Sequence, residues 1–477
     1  MERLNHYIDG RTVQPRGGEY LHGHDPRTGQ AVTEVARGNA VDVDTAVAAA
    51  KRAFSAWAAM RPSVRGRILM EIARMIRATA SELAVLECRD SGKSTTQAKA
   101  EIDLCAQYFE LYGGLVNAIP GQNINLGAGY HSYTRREPFG VVGAILPWNT
   151  PINCAGRSCT PALAAGNTVV VKPSEATSSS LLRLAELAVT RCGMPPGVLN
   201  VVTGLGQEVG EAIVKHRDVR KVTFTGSIAT GRRVAHLAAE RVIPVVLELG
   251  GKSPDIVFAD ADLDAATPSV VRGFLMHAGQ ICIAGTRILV ERSIHDRFVD
   301  AMKQEMKKYV VGDDTGTVGP MTTRAQFEKV QAYFEIARAE GAVAEAGGHC
   351  AKEPRLNGGW FVAPTLYTGV SNDMRIAREE IFGPVGCVIP FEDEEQAVAI
   401  ANDNETGLAA GIWTRDLARA HRVAARLEAG QIYVNEYWAG GVETPIAGYK
   451  MSGYGREKGL EALYEYTQVK CVTMRIA

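Results

Sequence analysis

One cysteine stands on a glycine-bounded stretch that has the sequence pattern of a reactive loop. Cys282 lies between Gly279 and Gly285, after an apolar run at 270–276 and before a strand-like segment at 288–290. A helix is therefore expected to end where a strand begins, which places the thiol on a loop where it can meet a substrate. A thiolate is a strong nucleophile, although an isolated cysteine is more often a small buried hydrophobe. Taken alone, Cys282 is open to both interpretations.

An acidic residue at the end of an apolar run could serve as a base for such a thiol. Glu248 stands between Leu247 and Leu249, ahead of two glycines. Desolvation disfavours the charged form of a carboxyl group and raises its pKa towards neutrality, where a general base is most effective. Glu248 is therefore a candidate general base.

Asn149 precedes a predicted helix in which Thr150 is the N-cap and Pro151 occupies the first turn. The asparagine side chain can simply cap this helix. Alternatively, its N–H groups and the backbone N–H of Cys282 could hold the oxyanion that forms when a thiolate adds to a carbonyl. The sequence leaves both roles open.

A strand-turn-helix segment at 224–231 passes through Gly226 and Ser227. Such a turn aims free backbone N–H groups and the positive end of a helix at an anion. The segment is not a Walker-type phosphate-binding loop, because Arg232 stands where that loop requires lysine. It also differs from the common dinucleotide-binding fingerprint, in which an acid follows the glycines, because here Glu175 precedes them. By spacing alone, a nucleotide site and an ordinary turn are equally compatible with this segment.

Lys172, Ser174 and Glu175 form a second polar cluster, directly after an apolar strand. The lysine and the glutamate could bind ribose hydroxyls, and the glutamate would repel an additional 2′-phosphate. The alternative is an exposed helix start, where the helix dipole favours an acid.

Short apolar strands alternate with helical segments from residue 141 onward. This alternation predicts a parallel, doubly wound α/β sheet. Ligands of such sheets bind beyond the carboxyl ends of strands, where these polar clusters and Gly204 occur. The predicted strands lie near 141–146, 168–171, 199–202, 221–224 and 245–247, and the helices near 152–165, 178–192, 207–215 and 228–239.

Three further regions have patterns of their own. Residues 40–112 have helical apolar spacing, with Asp42 or Asp44 as the predicted first N-cap. Residues 119–138 predict a hairpin that needs a partner, for which the strand-like tail at 469–476 is a candidate. A second strand-helix alternation after residue 255 predicts a second α/β domain.

Composition excludes several classes of protein. The chain has 477 residues, enough for two or three domains, and its 52 Lys and Arg nearly balance its 53 Asp and Glu without a basic block. No apolar run approaches the roughly 20 residues of a membrane span. The nine cysteines and ten histidines show no disulfide or metal-ligand spacing. We expect a cytoplasmic protein that acts on a small molecule, without a metal and without nucleic-acid or membrane partners.

Six segments together resemble the aldehyde dehydrogenase superfamily in order and in spacing, over effectively the whole chain. Because six independent motifs agree, coincidence is implausible. They are Pro147-Trp148-Asn149-Thr150-Pro151, Lys172-Pro173-Ser174-Glu175, Phe224-Thr225-Gly226-Ser227, Glu248-Leu249-Gly250-Gly251-Lys252-Ser253-Pro254, Gly279-Gln280-Ile281-Cys282 and Glu379-Glu380-Ile381-Phe382-Gly383-Pro384.

The resemblance implies an α/β fold with three parts. An atypical Rossmann NAD-binding domain would comprise residues 1–119 and 139–249, and an α/β catalytic domain residues 250–451. A β-hairpin arm, 120–138 with 467–477, would join subunits into a homodimer or homotetramer. The cofactor would be NAD rather than NADP, since Glu175 would face the 2′ position with a like charge.

The resemblance also implies roles for single residues. Cys282 would be the nucleophile, Glu248 the general base, Asn149 the oxyanion donor and Glu457 a proton relay. The cofactor-binding positions would be Trp148, Lys172, Ser174, Glu175, Gly204, Gly226, Ser227, Leu249, Glu380 and Phe382. The substrate pocket would comprise Thr150, Cys154, Arg157, Met276, Ile281, Ile283, Trp438 and Ile446.

The implied reaction is oxidation of an aldehyde to a carboxylic acid, with hydride transfer to NAD. It would pass through a thiohemiacetal and a thioester on Cys282, and Glu248 would activate the hydrolytic water. Arg157 predicts an aromatic or medium-size aldehyde with a polar end, or a semialdehyde, unless it only pairs with an acid. A non-catalytic relative with the same fold is the rival interpretation.

Overall fold

The computed structural model describes residues 1–312 and 318–476. Residues 313–317 of the predicted catalytic domain and residue 477 of the predicted arm lie outside the described residues. Within the described part, no helix is long and apolar enough to cross a membrane.

The first part of the chain forms short strands followed by four helices. The elements are β1 (Glu2–Leu4), β2 (His6–Ile8), β3 (Arg11–Val13), β4 (Tyr20–His24), β5 (Ala31–Ala36), α1 (Ala40–Ala59), α2 (Pro62–Ala78), α3 (Ala80–Ser91) and α4 (Thr95–Leu115).

The next part alternates strands and helices, as the sequence predicts. The elements are β6 (Asn123–Ile124), β7 (Tyr130–Pro138), β8 (Val141–Ile145), α5 (Pro151–Ala164), β9 (Thr168–Lys172), α6 (Ser179–Cys192), β10 (Leu199–Val201), α7 (Glu211–Lys215), β11 (Val219–Thr225), α8 (Ile228–Glu240) and β12 (Val245–Glu248).

The last part contains the second alternation and the tail. The elements are β13 (Pro254–Val257), α9 (Leu263–Leu275), β14 (Arg287–Glu291), α10 (His295–Met306), α11 (Arg324–Ala339), β15 (Val343–Ala346), β16 (Thr365–Thr368), α12 (Arg375–Arg378), β17 (Val385–Phe391), α13 (Glu394–Asn402), β18 (Thr406–Gly407), β19 (Ala409–Trp413), α14 (Leu417–Arg426), β20 (Gln431–Val434), β21 (Tyr449–Lys450), β22 (Gly453–Tyr454), α15 (Gly459–Glu465) and β23 (Thr467–Arg475).

An eight-stranded sheet of order β22-β12-β11-β8-β9-β10-β2-β3 dominates the first half of the molecule. Strands β12, β11, β8, β9 and β10 run parallel, and β9 is buried along its whole length, as a central parallel strand must be. The chain moves from β8 outward to β10 and then returns to pair β11 with the opposite edge of β8. This reversal of strand order is a topological switch point, where ligands of doubly wound sheets bind.

A seven-stranded sheet of order β15-β16-β17-β14-β13-β19-β20 forms the second half. All its pairs are parallel except that of the edge strand β15. Its two faces are covered by apolar side chains that form a continuous buried cluster. The predicted second α/β sheet is confirmed.

The predicted pairing of the hairpin with the tail is also confirmed. Strand β23 pairs antiparallel with β7 along its full length, from Thr467 opposite Pro138 to Arg475 opposite Tyr130. Strand β6 adds a third, short member to this separate sheet.

The predicted N-cap of the first helix is wrong. Helix α1 begins at Ala40, and its N-cap is Asn39, whose side-chain oxygen accepts a hydrogen bond from the Val41 N–H at 2.8 Å. Asp42 instead accepts from the Asn39 N–H at 3.0 Å, which completes a capping box. Asp44 is exposed and pairs with His216. The prediction failed because apolar spacing does not mark the polar first turn of a helix.

Candidate active site

A cavity of about 160 Å³ lies at the switch point of the first sheet. The carboxyl ends of β8, β11 and β12 form one side, and the loops that precede β14 and β17 form the other. The residues that border it are Pro147, Trp148, Asn149, Thr150, Cys154, Arg157, Thr225, Gly226, Ser227, Glu248, Leu249, Gly250, Cys282, Gln326, Lys329, Glu380 and Phe382.

Asn149 connects the two sides of this cavity. It is 6% exposed and lies directly before helix α5, whose N-cap position is Thr150. No side-chain capping bond forms at this helix start. Instead, the Asn149 Nδ2 donates to the Gln280 carbonyl oxygen at 2.8 Å. The asparagine amide is therefore fixed against the cysteine loop, and the capping interpretation is wrong.

The loop that carries Cys282 has an unusual backbone path. Helix α9 ends at Leu275, and His277, Ala278 and Gly279 then take left-handed φ values of 51°, 53° and 71°. A Cβ on Gly279 would lie 2.0 Å from the Gly383 carbonyl oxygen. The loops before β14 and β17 therefore meet at this point, and only glycine permits their contact.

The side chain of Gln280 fixes the same loop from within. Its Nε2 donates to the His277 carbonyl at 2.9 Å, and its Oε1 accepts from the Thr322 N–H at 2.9 Å. Cys282 follows on a turn and is partly exposed. The loop predicted between a helix and a strand is confirmed, and the thiol borders the cavity.

Desolvation controls the state of the Cys282 thiol. It raises the pKa of Cys282 to about 12, and the nearby positive charge of Arg157 opposes this rise. The resting group is therefore a thiol at neutral pH, and a neighbouring base must accept its proton before it can act as a nucleophile.

Glu248 has the properties of such a base. It ends strand β12, is 3% exposed, and its Oε1 has no hydrogen-bond partner. Burial and the charge of Glu457 raise the pKa of Glu248 to about 8, whereas Arg157 acts in the opposite direction. A carboxyl group in this range can accept a proton and release it again near neutral pH.

Arg157 and Glu457 form a buried ion pair behind the base. Glu457 Oε1 accepts hydrogen bonds from the hydroxyls of Ser158 at 2.7 Å and Thr223 at 3.1 Å. The Arg157 Nη2 donates to the Thr225 hydroxyl at 3.1 Å. Pairing of Arg157 with an acid, one of the two predicted roles, is thus confirmed, and the same guanidinium also borders the cavity.

Six of the predicted cofactor residues border the cavity: Trp148, Gly226, Ser227, Leu249, Glu380 and Phe382. The rings of Trp148 and Phe382 meet edge to face at 5.4 Å. Glu380 accepts a hydrogen bond from the Gly251 N–H at 3.2 Å, and a Cβ on Gly250 would lie 2.2 Å from the Glu380 Oε2. Gly250 therefore leaves space for this carboxylate beside the cavity.

The other four predicted cofactor residues lie outside this cavity. Lys172 pairs with Glu175 at 3.2 Å, and Glu175 borders a separate open cavity of about 720 Å³ that is also lined by the start of α11. Ser174 is buried at the end of β9, and Gly204 takes a φ of 140° after β10. The structure thus places six of the predicted set at the first cavity and Glu175 at the second, whereas Lys172, Ser174 and Gly204 border neither.

The predicted substrate pocket divides in a similar way. Thr150, Cys154 and Arg157 border the cavity. Ile446 does not; it is buried and bonds through its backbone N–H to the Glu457 carbonyl at 2.7 Å. Four further predicted residues lie outside the lining and stay predictions for the approach to the site: Met276, Ile281, Ile283 and Trp438.

Several lining residues were missed by the sequence analysis. Thr225 stands inside a motif that was recognised, so its position beside Gly226 was a usable signal. Gln326 and Lys329 lie on helix α11, which carries no motif and is brought here only by the tertiary fold. Within the described residues, no group of three or more His, Cys, Asp or Glu is arranged to hold a metal ion.

Comparison with known proteins identifies a family. The family model described as "Aldehyde dehydrogenase family" matches residues 13–472. A protein named betaine aldehyde dehydrogenase from Mesorhizobium japonicum is 44% identical over 472 residues, which cover 98% of this chain and 96% of that relative.

Solved structures agree over the same extent. The indole-3-acetaldehyde dehydrogenase of P. syringae, in complex with NAD+ and IAA, is 38% identical, with a TM-score of 0.96 over 99% of this chain and 96% of the other. The NAD+ complex of an aldehyde dehydrogenase from Bacillus cereus is 40% identical, with a TM-score of 0.97 over 100% and 97% of the two chains.

Proposed function

The chain belongs to the aldehyde dehydrogenase family, and we propose that its Cys282 is the nucleophile that adds to the aldehyde, so that hydride transfer to NAD can convert the aldehyde to a carboxylic acid. The observation that carries this proposal is the convergence of Cys282, Asn149 and Glu248 on one cavity. A nucleophile, an oxyanion donor and a base are the groups that acyl chemistry on a thiol requires.

The first step is addition of the thiolate to the aldehyde carbon. Glu248, whose pKa lies near 8, accepts the thiol proton, and the Cys282 sulfur forms a bond to the carbonyl carbon. The negative charge that develops on the carbonyl oxygen is held by the Asn149 amide and the Cys282 backbone N–H. Preorganised donors of this kind stabilise the transition state because they need no reorientation.

Bound NAD would supply the hydride acceptor, and loss of hydride from the former aldehyde carbon would leave a thioester on Cys282. Glu248 first releases the thiol proton, for which Glu457, buried behind the base and held by Ser158 and Thr223, would be the acceptor. Glu248 then removes a proton from water, the hydroxyl oxygen attacks the thioester carbon, and the leaving sulfur takes this second proton from Glu248. The carboxylic acid is released and the thiol is regenerated.

The cavity fits the nicotinamide end of NAD. Ser227 borders the cavity and is the N-cap of helix α8, whose positive end would favour a pyrophosphate. Glu380 offers a carboxylate for ribose hydroxyls, and the Trp148 and Phe382 rings form an aromatic wall beside it. These are groups of the chain itself, and their chemistry suits a dinucleotide.

We propose NAD rather than NADP as the preferred cofactor. The Glu175 carboxylate, which pairs with Lys172, would bind ribose hydroxyls and would repel a 2′-phosphate. Glu175→Gln should raise kcat/KM with NADP by about tenfold, as expected when a like charge is removed. Glu328→Gln, at another acid of the same open cavity, is the matched control. Equal specificity constants for the two cofactors in the unaltered enzyme would mean that Glu175 points elsewhere.

The substrate is proposed to be an aromatic or medium-size aldehyde with a polar or anionic far end. Arg157 borders the cavity, and its Nε and Nη2 are engaged by Glu457 and Thr225. The guanidinium has five N–H donors, so further donors remain for a substrate carboxylate or hydroxyl. A cationic aldehyde, such as that named for the relative from M. japonicum, would be repelled by this arginine.

A panel of aldehydes tests this assignment. Succinic semialdehyde, 4-hydroxybenzaldehyde, hexanal and betaine aldehyde differ in the charge and polarity of their far ends. We expect higher kcat/KM for the first two than for hexanal, and the lowest value for betaine aldehyde. No NADH formation with any aldehyde would identify a non-catalytic relative.

Substitution of the arginine separates recognition from support. Arg157→Leu should raise KM about tenfold or more for aldehydes with a distal acid or hydroxyl, because it removes a charge-assisted hydrogen bond. The KM for hexanal should stay nearly unchanged. Arg157→Lys, which keeps the charge, should lose less. A uniform loss across the panel would show that Arg157 only supports the fold.

We also propose how the molecule is organised. The two large sheets support a division into an NAD-binding domain, 1–119 with 139–249, and a catalytic domain, 250–451. The separate β23-β7-β6 sheet exposes apolar side chains at Ile124, Val469 and Met474, which supports its role as an oligomerisation arm. Nine free cysteines support a cytoplasmic location. Sedimentation velocity should reveal a dimer or tetramer, and a monomer at all concentrations would contradict the assembly.

A further inference from the structure

A cluster of three buried charges lies behind Asn149, outside the cavity. Lys93, Glu87 and Glu101 are 1%, 1% and 6% exposed. The Lys93 Nζ lies 3.1 Å from the Glu87 Oε2 and 2.5 Å from the Glu101 Oε2. The same nitrogen donates to the backbone carbonyl oxygen of Asn149 at 3.1 Å.

Every donor of the lysine has one acceptor in this arrangement. An ammonium group has three N–H donors in a tetrahedral fork, and here they meet two carboxylates and one carbonyl. Burial of charged groups is costly unless each is paired and hydrogen-bonded. Since both carboxylates are fixed, the direction of the third N–H, and with it the position of the Asn149 carbonyl, is fixed as well.

Glu87 holds the same segment from its other end. Its Oε1 accepts a hydrogen bond from the Ile152 N–H in the first turn of α5 at 3.3 Å, and another from the Ser180 hydroxyl. The carbonyl of residue 149 and the N–H of residue 152 are therefore bound to one charge cluster. These two hydrogen bonds fix the backbone between the end of β8 and the first turn of α5.

The cluster is also connected to the cysteine loop. The Asn149 amide donates to the Gln280 carbonyl, and the Gln280 Oε1 accepts from the Thr322 N–H. The Thr322 hydroxyl then donates to the Ser91 carbonyl at 2.9 Å, two residues before Lys93. Together with the short chain segment from Ser91 to Lys93, these hydrogen bonds form a closed ring of contacts that includes Asn149.

We propose that Lys93, held by Glu87 and Glu101, is a positioning residue that sets the placement of the Asn149 amide for the oxyanion. This inference rests on the proposed role of Asn149. Lys93 itself does not border the cavity, and it contacts Asn149 at the backbone carbonyl oxygen, so it does not touch the reacting atoms. Its contribution to the rate passes through Asn149 alone.

A double-mutant cycle on the full-length enzyme tests the inference. The measured quantity is the single-turnover rate constant of NADH formation, with enzyme and NAD in excess over hexanal. Loss of one oxyanion donor typically lowers such a rate about 10²–10³-fold, and Asn149→Ala should show a loss of this size. Lys93→Met should lower the rate at least about tenfold. In the Asn149→Ala background, Lys93→Met should cause no further loss, because interactions in series are not additive.

The matched control is another buried lysine pair, remote from the cavity. Lys221 is 2% exposed and pairs with Glu465 at 3.2 Å. Lys221→Met should reduce thermal stability as Lys93→Met does, and should leave the single-turnover rate within about twofold of the unaltered enzyme. If Lys93→Met does not fold, Glu101→Gln and its control Glu465→Gln take their places, because Glu101→Gln keeps the lysine and removes the negative charge of one of its two carboxylate partners.

The outcomes separate the two assignments. If Asn149→Ala leaves the single-turnover rate unchanged, the oxyanion role of Asn149 fails. If Asn149→Ala slows the enzyme but the Lys93 or Glu101 variant matches its control, or adds its own loss in the Asn149→Ala background, only the positioning role is overturned. A loss in the Lys93 or Glu101 variant that disappears in the Asn149→Ala background supports the inference.

Discussion

The two sheets contribute to the cavity in different ways. The first sheet provides residues from the carboxyl ends of its strands: Asn149 follows β8, Ser227 follows β11 and Glu248 ends β12. The second sheet provides residues from loops that precede its strands, with Cys282 before β14 and Phe382 before β17. Strand ends are positioned by the regular geometry of the sheet, whereas the loops must be held by specific contacts.

Backbone conformation shows the same contrast. His277 and Phe382 in the second-sheet loops have left-handed φ values of 51° and 59°, which are rare for residues with side chains. On the first-sheet side, a single residue, Gly204, takes such a value among the turns that follow β8, β9, β10 and β11. Strain of this kind persists only where surrounding contacts impose it, and it concentrates at functional sites.

The strongest test of this contrast is a methyl group at the contact between the two loops. Gly279→Ala would place a Cβ 2.0 Å from the Gly383 carbonyl oxygen, at a φ of 71°. Since a displacement of about 1 Å in a reacting group can cost about a hundredfold, we expect kcat/KM to fall about a hundredfold while far-UV circular dichroism stays unchanged. Gly273→Ala, in helix α9 with no atom nearer than 3.7 Å, is the control. Nearly full activity in Gly279→Ala would show that the loop is not tightly held.

A smaller effect is expected from the charge behind the base. With a Glu248 pKa of about 8, its ionised, basic fraction grows as pH rises, so deacylation-limited kcat should increase about tenfold between pH 7 and 9. Glu457→Gln removes a negative charge that raises the pKa of Glu248. The rising limb of the plot of kcat against pH should therefore move about one unit towards lower pH. Ser158→Ala removes a hydrogen bond to Glu457 without a change of charge, so its limb should stay near 8. A limb unmoved by Glu457→Gln would contradict the coupling of the two acids.

The sequence predicts the first-sheet side of the site better than the second. Apolar runs define β8, β11 and β12, and the polar residues at their ends follow directly. It also predicts that Cys282 lies on a loop between a helix and a strand, but not the path of that loop, which depends on Gly383, Gln280 and distant Thr322. The Lys93 cluster leaves no local pattern, because its members lie on α3, α4 and the turn between them.

The smallest expected effect concerns the start of helix α1, where the predicted N-cap was wrong. Asn39→Ala should lower the free energy of unfolding by about 1 kcal/mol, the usual value of an N-cap side chain. Asp44→Ala should change it by less than about 0.5 kcal/mol, as for most exposed residues. Chemical denaturation measures both, and equal values for the two variants would contradict the capping box.

The most direct test of the mechanism is to trap the acyl group on the thiol. In Glu248→Gln the thiol must lose its proton to solvent, so acylation should be slow, and hydrolysis should be slower still. Prolonged incubation with excess NAD and hexanal should therefore release about one equivalent of NADH per subunit, followed by little turnover. Mass spectrometry of the quenched enzyme should then find a hexanoyl group on the peptide that contains Cys282. The Cys282→Ala variant should bind NAD and show neither NADH release nor adduct. An acyl group on another residue, or undiminished turnover of Glu248→Gln, would contradict the roles of Cys282 and Glu248.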